Sequence, residues 1–351
     1  MKKWIVIVLL LQLAVLAWVV GKREWIYHYG ERVYLRTAPV DPRDFFRGDY
    51  VQLDYELAHL EEGTLPKELA EIKYQQVYLS LQRDRRGLAS LVKISTERPD
   101  GLYIKGYLDR HWHRQWGSGG WGNGTVIKLG IEKYFVEQGK GLSIEEERGR
   151  AQEWQTPMEV DVAIGDDGTA LIRGFRWSDM GIRLEVLEMA RNNNNVNANT
   201  ATTIDGAVPP RVSPKLRISL RNQSDREISL LDTVDHCAFQ LVENMFNSPG
   251  AGQGYQAMTL AGRPCQGELD WQLHSLQPDE VYAFEVDLDE SQWYVAVDGK
   301  ELPLGALQDR WAGFRWLYQV PDKVLEAQGN QEQVWQSPLR TARFDVGGRI
   351  D

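Results

Sequence analysis

The chain has 351 residues, enough for two ordinary domains, and its 42% hydrophobic and 26% charged content is that of a folded protein, which excludes a disordered chain. A net charge of −10 repels phosphate backbones and excludes nucleic acid as a default partner. Two cysteines are too few for a disulfide framework.

Trp4 to Val20 is an apolar run interrupted only by Gln12, with Lys2 and Lys3 before it and Lys22 and Arg23 after it. A helix needs about 20 apolar residues to cross a bilayer core, with a lower limit near about 17. A cleaved signal peptide is the competing reading. Such peptides end in small residues of the A-x-A type, whereas this run ends in the bulky Leu16-Ala17-Trp18-Val19-Val20-Gly21. Residues 1–24 are therefore taken as a retained single-pass signal-anchor with its flanks. The α-amino group, Lys2 and Lys3 precede the span. A long domain follows it, and long domains cross largely regardless of charge. The expected arrangement is an N-terminus in the cytoplasm and a body outside it, in the cell envelope.

Residues 27–36 begin an extended segment. Pro39 and Pro42 then mark a turn-rich stretch, after which Val51, Leu53 and Tyr55 alternate with polar residues as in a half-buried strand. Residues 66–72 form a short helix. Strands are expected over 77–81, 89–94, 102–108 and 126–136. A clear hairpin joins 158–164 to 170–175 through Asp166-Asp167-Gly168, and 182–186 alternates again. Residues 192–199 are nearly all Asn, and Pro209-Pro210 follows. Such composition buries no apolar surface and reads as a linker. Beyond it, alternation at Leu216, Ile218 and Leu220, at 269–273, 281–288, 293–297 and 301–304, and from Phe314 to Val320 gives many short strands. The fold class is thus mainly β: an N-terminal transmembrane helix, a β-rich (α+β) first domain over 25–190, an Asn-rich linker over 191–210, and a β-sandwich-like second domain over 211–351.

Gly48-Asp49-Tyr50-Val51-Gln52-Leu53-Asp54-Tyr55 fits the pattern G-D-Y-x-x-L-x-Y at every position and resembles the bacterial GDYXXLXY domain family. Pro39-Val40-Asp41-Pro42-Arg43 before it, the apolar span upstream, and Gly130 to Gly141 downstream are also similar, although Glu137 stands where the family often has Pro. The resemblance covers roughly residues 1–190. It implies a membrane-anchored protein of unknown function, encoded beside multi-spanning membrane proteins, and it carries over no activity, cofactor or catalytic residue.

Read physically, Gly48 shapes a turn, Asp49 caps it, and Val51, Leu53 and Tyr55 share a core face, with Tyr50 on the other side of the strand. Arg43, Asp44, Arg47 and Asp49 make a charge cluster, either a salt-bridged turn or a docking surface for a membrane partner. His111 and His113 point the same way on a strand and are weak metal candidates, because no third ligand has a recognisable spacing. The glycine-rich 117–124 lacks the Lys-Ser/Thr ending of a phosphate loop, and Glu145-Glu146-Glu147 reads as a solvated helical face. No serine elbow, HExxH or paired-Cys motif occurs, and no cofactor is implied. Outside the cytoplasm Cys237 and Cys265 are free to pair, but their local context leaves a bridge and two buried thiols equally open. Two functions are carried forward. The first is a non-enzymatic, membrane-anchored envelope protein associating with an integral-membrane partner. The second is an envelope hydrolase or carbohydrate-binding module using a Trp/His-rich surface. The 13 tryptophans, set largely in alternating runs, point to core packing and so to the first.

Overall fold

The computed structural model describes residues 2–38, 50–60, 69, 74–109, 125–137, 140–189, 213–243, 265, 268–289, 293–297, 300–304, 313–327 and 333–350. The protein is mainly β, with a long apolar helix at its N-terminal end and several sheets. It divides into two compact units, one of Met1–His111, Gly124–Ser143 and Met158–Trp177, the other of Trp112–Asn123, Ile144–Pro157 and Ser178–Asp351.

Helix α1 spans Lys2–Tyr29. An apolar helix satisfies its own backbone hydrogen bonds and so suits a medium without water. The sequence ends the anchor at 24 and starts an extended segment at 27. The helix instead runs to Tyr29, held by side chains four residues apart: Glu24 and His28 lie 2.9 Å apart, and the Trp25 and Tyr29 rings 4.5 Å apart. Gly30 alone separates α1 from strand β1 (Glu31–Ala38). A Cβ at Gly30 would lie 2.4 Å from the Ile26 carbonyl oxygen and 2.9 Å from that of Ile164. Both obstacles are backbone, so only glycine allows so abrupt a change from helix to strand.

The other strands of the first unit are β2 (Tyr50–Gln52), β3 (Asp54–Tyr55), β4 (His59–Leu60), β5 (Tyr74–Arg83), β6 (Ala89–Ser95), β7 (Tyr103–Asp109), β8 (Thr125–Lys128), β9 (Lys133–Phe135), β10 (Met158–Ile164) and β11 (Ala170–Trp177). They form sheets in the orders β11-β10-β1-β3, β4-β8-β7-β5-β6 and β2-β9. The predicted strand 126–136 is two strands, and the predicted hairpin is β10 and β11. Its turn holds Gly168 at a φ of 74°, a left-handed conformation that favours glycine. Val33 faces Val162 and Leu35 faces Val160 across β1 and β10, and all four are buried. Helix α2 (Lys140–Arg148) carries Glu146 and Glu147 on exposed positions. Of the predicted helix 66–72 only Leu69 is among the described residues, and it is buried.

In the second unit β12 (Met180–Glu188), β13 (Lys215–Asn222) and β17 (Val281–Asp287) form one sheet, β14 (Ile228–Asp232) pairs with β16 (Gln272–Leu276), and β15 (Phe239–Glu243) pairs with β20 (Gly313–Tyr318). β18 (Tyr294–Val297) and β19 (Lys300–Pro303) make a further pair. Residues of the first three of these sheets share one hydrophobic core, from Ile182 and Ile218 to Leu230, Phe239, Trp316 and Phe344. The Trp316 ring stacks on Phe344 at 4.1 Å.

The Asn-rich segment 191–210 lies outside the described residues, but the strands flanking it pair with each other, from Met180 opposite Asn222 to Glu188 opposite Lys215. The two units are therefore not divided at that segment. It joins neighbours within the second unit, and 178–188 belong there as well.

Candidate functional site

The motif strand is built into the first unit by its own backbone. β2 pairs with β9, Tyr50 opposite Phe135 and Gln52 opposite Lys133, and the Leu53 amide donates to the Glu132 carbonyl at 2.8 Å. The two stretches that carry the family resemblance thus lie against each other. Val51, Leu53 and Tyr55 are buried together and Gln52 is exposed, as the alternation requires. The Tyr55 hydroxyl donates to the Ile131 carbonyl at 2.8 Å. Burial, and then the nearby Glu132 carboxylate, push its pKa above the ordinary tyrosine range, so it stays a neutral donor. The Glu132 carboxylate in turn accepts from the Leu129 amide at 2.5 Å and the Gly130 amide at 3.0 Å. Gly48, Asp49, Arg43 and Arg47 lie outside the described residues, as do His111 and His113.

Leu53→Ala is expected to destabilise the first unit by about 2–5 kcal/mol through the cavity it leaves. Tyr55→Phe leaves the Ile131 carbonyl unpaired and should cost about 1–3 kcal/mol. Unfolding of the full-length variants in detergent, followed by urea titration, checks both. Unchanged midpoints would show that these side chains do not hold the motif in place.

A second assembly lies across β1, β10 and β11. Glu159 is fully buried and meets three guanidinium groups: Arg36 at 2.9 Å, Arg86 at 3.2 Å and Arg176 at 2.8 Å. Burial alone would raise its pKa, but the fields of Arg36, Arg86 and Arg176 outweigh that and hold the carboxyl below its ordinary range. Arg36 is itself buried, and its Nε and Nη1 atoms have no hydrogen-bond partner among the described residues. Arg176 also lies 3.5 Å over the Tyr34 ring, and Arg32 grips Asp161 with two bonds of 2.9 and 2.7 Å. The cluster ties strands to the turn before β6, where the Tyr34 amide donates to the Gly87 carbonyl at 2.8 Å.

The third assembly is where α1 meets the sheet. The first charged residue after the apolar run, Lys22, donates to Asp167 at 2.8 Å. Ile26 is buried and packs on Gly165, where a Cβ would come within 2.8 Å of its side chain. The Arg173 guanidinium lies over the Tyr27 ring at 5.3 Å. Partial burial raises the Asp167 pKa, but the hydrogen bonds from Lys22 and Thr169 more than reverse this and hold it well below the carboxylate range. The Asp166 carbonyl accepts from the Tyr103 hydroxyl at 2.5 Å and from Arg98 at 2.8 Å, beside a cavity of about 340 Å³.

Sequence reasoning missed one polar assembly in the second unit. Buried Asp232 accepts from the Thr233 and Ala238 amides, from His236 Nδ1 at 3.0 Å and from the Tyr282 hydroxyl at 2.8 Å. His236 adopts a φ of 56°, in the left-handed region uncommon outside glycine, and its ring stacks on Phe284 at 3.7 Å. The only sequence signal is an Asp and a His four apart beside a cysteine. The turn presents Cys237, which is bonded to Cys265; the pairing left open by the sequence is made. An Asp–His pair orients a base, yet among the described residues no serine, threonine or cysteine hydrogen-bonds the His236 ring. Among the described residues there is also no group of three or more metal-ligating side chains.

Residues 12–175 match the GDYXXLXY protein family, a stretch that runs from within the apolar helix through the motif strand to Phe175 and takes in Glu159. No curated protein and no solved structure matches the chain.

Proposed function

We propose that this chain, whose first unit carries the GDYXXLXY signature, is a single-pass, membrane-anchored envelope protein that holds a non-catalytic β body outside the cytoplasm and associates with an integral-membrane partner. The observation that carries this reading is the seam at Gly30. The apolar helix, long enough to span a bilayer, is part of the folded first unit, pinned by Lys22, Ile26 and Tyr27 and continuous with β1. A removable leader has no reason to be built into the domain it precedes. The Cys237–Cys265 bond supports the orientation, because disulfides persist in oxidising compartments outside the cytoplasm. The partner is proposed from the multi-spanning neighbours that the family resemblance implies.

The carbohydrate-binding alternative needs tryptophans displayed on the body. Of those described, Trp293, Trp316 and Trp335 are buried, Trp154, Trp177 and Trp271 are partly covered, and the exposed ones, Trp4, Trp18 and Trp25, lie on α1. Among the described residues no observation favours that reading; Trp112, Trp116, Trp121 and Trp311 lie outside them.

The test is fractionation followed by affinity capture. The full-length protein is expected in the membrane pellet after alkaline and high-salt washes, with its N-terminal segment intact, and to bring an integral-membrane protein with it from detergent extracts. A mature N-terminus after Ala17 or Gly21 would defeat the anchor. Capture of the chain without any membrane protein would defeat the partner.

A further inference from the structure

The anchor and its contacts fix where one end of the first unit stands. The apolar run Trp4–Val20 is 17 residues, about 26 Å of helix, against a hydrocarbon core of about 30 Å. Centred there, the run ends close to the hydrocarbon boundary, and Lys22 is the first charge beyond it. The headgroup layer on each side is roughly 5–8 Å deep. From Lys22 to Ile26 the helix rises about 6 Å, so these two residues span that layer. Both are held by one turn of the body: Lys22 by Asp167 at 2.8 Å, and Ile26 by Gly165.

Trp25 and Tyr29 give an independent indication of the same level. They are 64% and 72% exposed on the last turns of α1, and such aromatic residues collect at membrane–water interfaces.

We infer that the turn Ile164–Thr169, braced by Tyr103 and Arg98, is seated among phospholipid headgroups, so that the first unit rests on the bilayer rather than hanging from it. This rests on the anchored reading above. The seat carries no surplus of positive charge: among the groups that bond to the turn or line the cavity beside it, Lys22, Arg98 and Lys105 stand against Glu31, Asp100, Asp166 and Asp167, and the loss of one carboxylate still leaves none. Lys105 lies 3.7 Å from Asp167, and Arg98 is bound to the turn. With no surplus positive charge the seat has no call on acidic lipid. Its ligand is the zwitterionic headgroup layer, into which the helix draws it.

The experiment uses full-length protein in phosphatidylcholine vesicles, with the native disulfide intact and one added cysteine carrying an environment-sensitive fluorophore. Asp166→Cys is the reporting variant, because Asp166 braces the turn through its carbonyl and its side chain is exposed. Leu11→Cys reports on the span. Fluorescence at 11 should be lost to a nitroxide on the lipid acyl chain, and fluorescence at 166 to a nitroxide on the headgroup. Quenching at 11 without quenching at 166 overturns the seat and leaves the anchor standing. No quenching at 11 overturns the anchor, and the seat with it. Quenching at 166 should be the same when acidic phosphatidylglycerol is added; quenching seen only with that lipid overturns the zwitterionic assignment.

Discussion

Glu159→Gln is expected to cost the first unit about 3–5 kcal/mol, the loss typical when one member of a buried charge assembly is removed. The substitution keeps the shape and deletes the charge. Arg36, Arg86 and Arg176 would then face one another around a neutral amide, and Arg36 already has two buried nitrogen atoms unpaired among the described residues. Urea unfolding of the full-length protein, read by hydrogen exchange in β10, gives the number, and an unchanged midpoint would show that the three guanidinium groups need no carboxylate. The cluster also has a pH signature. Its carboxyl is held below the ordinary range when folded, so the unfolded chain takes up the proton first as pH falls. The Glu159 contribution is therefore complete above the unfolded value of about 4.3 and is lost as pH drops through the lower folded value. The stability difference between the native protein and Glu159→Gln should be constant near neutrality and shrink below about pH 4. A difference that shrinks on the alkaline side instead would contradict the assignment.

Replacing both Cys237 and Cys265 by serine should cost the second unit about 3–4 kcal/mol. The bridge closes a loop with a sequence separation of 28, and chain-entropy reasoning gives about that much for a loop of this length. The native contacts are consistent with an unforced bond. The Cys237 amide donates to Thr233 Oγ1 at 3.0 Å, and Asp232 organises the turn from within. Thermal unfolding should show a lowered transition for the second unit alone. Full-length protein purified without reductant should expose no alkylatable thiol when denatured. Two free thiols per chain would argue against an oxidising compartment.

Local patterning disclosed the hairpin of β10 and β11 and the buried face of the motif strand, because alternation over a few residues is enough to specify them. It did not disclose the Glu159 cluster. In Met158-Glu159-Val160-Asp161 the carboxylates look solvent-facing, but all seven residues of β10 are buried, with Glu159 met by Arg36, Arg86 and Arg176 and Asp161 by Arg32. Pairings of such sequence separation leave no local trace. β14 escaped for a related reason: Ile228-Ser229-Leu230-Leu231-Asp232 does not alternate, since both of its faces are buried. The single strand expected over 126–136 breaks where Glu132 accepts the Leu129 and Gly130 amides, a capping arrangement that composition does not reveal. The end of α1 was placed early because Lys22, Arg23 and Glu24 look like a boundary with water. The partners that hold these last turns against the sheet, Asp167 and Gly165, are again far along the chain.

The pairing of β12 with β13 has a practical consequence. The residues between Glu188 and Lys215 close a loop whose two ends are already fixed side by side by the sheet. For such a loop each doubling of length costs only about 0.6 kcal/mol. The Asn-rich stretch is therefore a port for insertion: an epitope or a fluorescent protein placed there is expected to leave the strand register, the shared core and the N-terminal helix as they are, which a fusion placed ahead of Lys2 does not promise.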